Sequence, residues 1–93
     1  MDDHGLETVL GMQLRKWVYK SCFAHVAEND DENDKWATIY NIESSEQGKG
    51  HATKLLSELK EYYESRGYRF GGTVALNPVM GHLYRKLKIH EYT

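Results

Sequence analysis

Cysteine is almost missing from this chain: Cys22 stands alone in 93 residues, so no internal disulfide can form. A reducing, cytoplasmic setting is the expectation that follows. Long apolar runs are missing too. No stretch approaches the roughly 18 residues needed to span a bilayer, and the N-terminus has no cationic segment followed by an apolar core. A soluble protein with no membrane partner is expected. There is no excess of either charge, with 12 Lys and Arg against 14 Asp and Glu, a formal net charge of −2 and a pI near 6.2. Without a basic stripe, a dedicated nucleic-acid partner is not expected. His4, His25 and His90 are scattered without the spacing of paired ligands, and no metal site is expected. Internal repeats are absent as well. Cys22 has no positioned base nearby in sequence and reads as a small core residue in a strand.

What is present suffices for one small domain over residues 1–93, with 40% apolar residues and a single core. From Met1 to Gly11, Leu6, Val9 and Leu10 give a weak helical pattern. Gln13 to Val26 is rich in strand formers and reads as one long or two short strands. Glu28 to Lys35 is a run of Glu, Asn and Asp expected to form a solvated hairpin loop. In Trp36 to Ile42, Trp36, Thr38, Tyr40 and Ile42 alternate with Ala37, Ile39 and Asn41, as in a strand covered on both sides. Ala52, Leu55, Leu56, Leu59 and Tyr62 or Tyr63 recur at three- and four-residue spacings, which predicts a helix over 50–66 ended by Gly67. A strand over 70–76, a short helix opened by Asn77 and Pro78, and a terminal edge strand at 89–92 complete the reading. The tyrosines and tryptophans fall mostly at core-facing positions of these elements, where packing accounts for them.

Between the strand at 36–42 and the long helix lies Gln47-Gly48-Lys49-Gly50-His51-Ala52. Glycines at 48 and 50 clear side chains from the backbone, and the free amides of the next helical turn point the same way, so an anion should sit there. Neither GxxxxGK[ST] nor GxGxxG is present, which leaves out the common nucleotide loops.

Taken with Asn77-Pro78-Val79-Met80-Gly81-His82-Leu83-Tyr84-Arg85-Lys86, this turn resembles the GNAT acetyltransferase superfamily. Gln47, Gly50 and Ala52 fill its Q/R-x-x-G-x-G/A signature. Asn77, Leu83, Tyr84 and Lys86 fill its second motif, while Met80 and Lys88-Ile89 depart from the small residue and Gly-Phe usual there. The resemblance implies an α/β fold: a mixed, mostly antiparallel sheet with a central strand–helix–strand unit, shortened at both ends. It implies acetyl-CoA as donor, held by backbone groups of Ile42 to Ser44, by the amides of Gln47, Gly48, Lys49, Gly50, His51 and Ala52, and by Asn77.

Transfer to the primary amine of a small molecule or protein would then be direct. A backbone amide near Ile42 would stabilise the oxyanion. Tyr84 would protonate the departing thiolate, and Glu43, through a water, or His82 would take the amine proton. The side chain of His51 reads as solvent-facing. The shortened ends give a physical motive for a homodimer, since edge strands and uncovered sheet seek partners. The alternative is a shortened scaffold that binds coenzyme A, or a partner protein, without catalysis.

Overall fold

Hairpin turns and one glycine-led crossover arrange the described residues into six strands and two helices. The computed structural model describes residues 1–46, 48, 50–73 and 78–92, the last range without the side chains of residues 78, 79 and 92. The elements are β1 (Asp2–Val9), β2 (Met12–Tyr19), β3 (Cys22–Asp31), β4 (Asp34–Ser44), α1 (His51–Glu64), β5 (Arg69–Thr73), α2 (Pro78–Leu87) and β6 (His90–Tyr92). They form an α/β domain with one open sheet in the order β1-β2-β3-β4-β5-β6. β1 to β4 are antiparallel. β4 to β6 run parallel, as the crossovers through α1 and α2 require.

Residues paired across strands share a face of the sheet, so the register sorts side chains into two sets. Trp17, Ala24, Val26, Ala37, Ile39 and Phe70 face the helices. Leu55, Leu56, Leu59 and Tyr63 of α1 and Leu83 and Tyr84 of α2 close this core. The other face carries no helix among the described residues. None of the described helices is long and apolar enough to cross a membrane.

Two expectations are corrected. Residues 2–9 form a strand rather than a frayed helix, turned back onto β2 by Leu10 and Gly11, both at positive φ (51° and 80°). Two successive left-handed residues suit the twist of a tight hairpin. The acidic stretch is not a long loop either: β3 runs to Asp31, β4 starts at Asp34, and only Glu32 and Asn33 turn. Its carboxylates are held at the strand surface, Glu28 by Arg15 and Tyr63, Asp30 by Tyr68, and Asp34 by Arg69.

Both helices end alike. After α1, Gly67 takes φ 84°, the Tyr68 N–H donates to the Tyr63 carbonyl at 3.0 Å and the Gly67 N–H to the Glu64 carbonyl at 3.1 Å. After α2, Lys88 takes φ 57°, the Ile89 N–H donates to the Tyr84 carbonyl at 2.8 Å and the Lys88 N–H to the Arg85 carbonyl at 3.3 Å. Each is a Schellman ending, so lysine here makes the turn that glycine normally makes. Ile89 is thereby delivered to the core.

Candidate functional site

Among the described residues, Ile39 opposite Gly72 is the last pair of β4 with β5, and beside it the Thr73 hydroxyl donates to the Ile39 carbonyl at 3.2 Å. One residue later β4 carries a bulge: His25 pairs with Asn41 and Val26 with Ile39, leaving Tyr40 as the extra residue. An inserted residue bends its strand and sharpens the local twist. β4 thus continues to Ser44 on β3 alone, and its other edge is unpaired among the described residues.

Beside this end of β4 lies a cleft of about 440 Å³. Ile42, Glu43 and Ser44 wall it from β4, Gly48 and Gly50 from the turn, Ala52 and Thr53 from α1, and Met80 and Leu83 from α2. This volume lies in the range of small-molecule sites. Gly48 and Gly50 have φ of 79° and 76°, a conformation that side-chain-bearing residues enter only with strain. Gly50 is the N-cap of α1, and no side chain among the described residues caps that end. The first intrahelical bond is the Lys54 N–H to the Gly50 carbonyl at 3.0 Å. An uncapped N-terminus presents backbone donors and the positive end of the helix dipole to whatever fills the cleft.

The sequence-predicted site residues divide. Ile42, Glu43, Ser44, Gly48, Gly50 and Ala52 meet at the cleft. Gln47, Lys49 and Asn77 lie outside the described residues. The His51 ring turns away, its Nδ1 lying 2.8 Å from the Ser21 hydroxyl and its face 5.8 Å from Tyr19, so only its backbone can serve an anion. His82 is exposed on α2 and does not line the cleft.

Tyr84 is 1% exposed and is also absent from the described walls of the cleft. Its ring lies over Gly72, and its hydroxyl is the one buried side-chain polar atom without a hydrogen-bond partner among the described residues. Burial first, and the Glu91 carboxylate second, push its pKa up, so the phenol stays protonated at neutral pH. Met80 and Thr53 were missed as wall residues. Both belong to helices whose apolar stripes were read as core only.

Comparison of the chain with protein-family models, with curated proteins and with solved structures found no match to any of them.

Proposed function

We propose that the chain is a small GNAT-like N-acetyltransferase that takes the acetyl group of acetyl-CoA and passes it to an amine. The observation that carries this reading is the bulge at Tyr40 beside the last described β4–β5 pair, next to a cleft that reaches the glycine-led start of α1. A long, polar thioester with a pyrophosphate needs such a pair of features. Unpaired β4 edge groups from Ile42 to Ser44 would hydrogen-bond its amide arm, and the amides at Gly50 to Ala52 would receive its phosphates.

The amine nitrogen then attacks the thioester carbonyl, a carbon–nitrogen bond forms and the carbon–sulfur bond breaks. A backbone amide near Ile42 would stabilise the oxyanion. Glu43, through a water, would take the amine proton, and Tyr84 would give its proton to the thiolate. The unpartnered Tyr84 hydroxyl supports that last role, since a thiolate would supply the partner it lacks. The reading carries a cytoplasmic setting, supported by the single buried cysteine, and a second copy pairing at edge strand β1, which sedimentation would check.

A binding-only reading is favoured by one observation, the absence of Tyr84 from the described cleft walls. The two separate in one experiment. Acetyl-CoA at ~100 times its Kd raises stability by about 2.7 kcal/mol, several degrees of Tm in a domain of this size. Gly50→Val abolishes that shift. Thiol release in the presence of an amine marks the enzyme, and Tyr84→Phe then lowers turnover while keeping the Tm shift. A Tm shift with no thiol release marks the binding module, and no Tm shift with the wild-type chain refutes both.

A further inference from the structure

The end of β4 is a partition with a space on each side. Ile42 is paired with Ala24 and faces the helices, whereas Glu43 is paired with Phe23 and faces the open side of the sheet. Ile42, Glu43 and Ser44 line the cleft described above, and the same three residues line a second groove of about 770 Å³. Among the described residues β5 pairs with β4 as far as Ile39. The same three residues at the end of one strand thus border both spaces.

The chemistry of this groove is uneven. Its ammonium groups are Lys16 and Lys20, and its carboxylate among the described lining residues is Glu43. Lys16 is already engaged, with its ammonium 3.6 Å from Glu7 and 4.7 Å from the centre of the Phe23 ring. Glu7 also reaches His25, which is 6% exposed and 3.4 Å from both Glu7 and Asn41, so the partner of Lys16 is itself held in place. Lys20 is different. It is exposed at the tip of the β2–β3 turn, has no carboxylate partner among the described residues, and lies 5.6 Å from the centre of the Tyr19 ring. The groove thus offers an uncommitted ammonium on one wall and a carboxylate at the partition.

We infer that the groove on the open face is the acceptor site and that it selects amines carrying an acid group, of the amino-acid type, with the amine toward Glu43 and the acid toward Lys20. This rests on the acetyl-transfer reading and adds the substrate class to it. An acid-free polyamine meets Lys16 and Lys20 as like charges, whereas a zwitterion satisfies both ends. Proximity to Glu43 also provides the base that the entering ammonium needs before it can attack.

The test is thiol release from acetyl-CoA with the standard amino acids, their carboxamides and spermidine as acceptors. Lys20→Gly and Lys20→Glu are measured alongside the wild type. Lys20 has φ 52°, so glycine there keeps the turn and removes only the charge. Amino acids are expected to be the better acceptors by kcat/KM. Both variants should raise the amino-acid KM about ten-fold or more, about 1.4 kcal/mol of binding, while leaving the carboxamide KM and the acetyl-CoA Tm shift unchanged. Preference for carboxamides or spermidine, or an unchanged KM in Lys20→Glu, overturns this inference alone. A cofactor Tm shift with no turnover of any amine, or no wild-type Tm shift, overturns the acetyl-transfer reading and this inference together.

Discussion

A Cβ placed on Gly72 would stand 2.5 Å from both Cζ and the hydroxyl oxygen of Tyr84. The tyrosine ring occupies the space that any side chain at 72 would need. Gly72→Ala must therefore push α2 or the ring aside, and overpacking of this kind costs about 1–3 kcal/mol. Chemical denaturation is expected to show that loss, with partial recovery in Gly72→Ala combined with Tyr84→Leu. Additive losses in the double variant would mean the two residues are not in contact.

Tyr84→Phe should act oppositely on stability and on catalysis. Removing a buried hydroxyl that has no partner relieves a desolvation penalty of about 1–3 kcal/mol, so the unliganded variant should melt higher. Turnover should fall in the same protein. A lower Tm would show that the hydroxyl has a partner in solution.

Tyr63 is the contrasting case. Its hydroxyl donates to Glu28 at 2.6 Å and accepts from the Trp17 indole N–H at 3.0 Å, and Arg15 completes the chain by donating to Glu28 at 3.0 Å. Tyr63→Phe leaves the Trp17 N–H without its partner and Glu28 with Arg15 but without the phenol, and should cost about 1–3 kcal/mol, measured by urea denaturation. The two Tyr→Phe changes thus predict shifts of opposite sign in one protein.

Alkaline pH gives a further check. Burial lifts the Cys22 thiol from 9.0 to about 11, and it raises Tyr63 and Tyr84 above the ordinary 10.0, with Glu28 adding to the rise at Tyr63 and Glu91 at Tyr84. A raised folded-state pKa means that the native state holds its proton after the unfolded chain has released it. Stability is therefore full below pH 9, then falls through the Cys22 window between 9.0 and about 11, with the tyrosines adding to the loss above 10. The urea midpoint should stay flat up to that onset and then decline. Cys22→Ala should move the onset up toward the tyrosine value, and an unchanged onset would refute the assignment.

Leu10 and Lys88, like Lys20, sit in backbone conformations that suit other residues better. Leu10, 98% exposed at φ 51°, precedes Gly11 where Asn-Gly would serve, and Lys88 holds the φ 57° ending of α2. Leu10→Asn and Lys88→Gly should each raise stability, by about 0.5–1 kcal/mol, because the left-handed region costs L-residues roughly 1–2 kcal/mol. Thermal melts of both variants check this, and a decrease in either would contradict the turn assigned there.

How much of this was legible depends on which force set each element. α1 could be read because Leu55, Leu56, Leu59 and Tyr63 are spaced as one buried helical stripe. β1 could not. Leu6, Val9 and Leu10 mimic a helical interval, and the strand is so exposed that burial leaves no alternation; the hairpin turn at Leu10 and Gly11 decides its form. The acidic stretch misled for a related reason, since Asp and Asn disfavour strands, yet pairing with β4 and the partners of Glu28, Asp30 and Asp34 outweigh propensity. At the site, the glycine turn announced itself. The bulge at Tyr40 carries no glycine or proline to mark it, and the second groove joins residues of β1, β2 and β4 that only the register brings together.

The sheet order has its own bearing on how the chain reaches this state. Each strand lies beside the strand before it in sequence, and the widest span to be closed is that between Trp36 and Arg69, bridged by α1. Loop closure is costliest when distant segments must meet before any contact rewards them, and here no strand waits for one made much later. A ribosome-bound chain can add strands one at a time from the β1 edge. The cleft, which needs β4, the glycine turn and α2 together, is then among the last parts to assemble, so ligand binding reports on completion of folding rather than on its start.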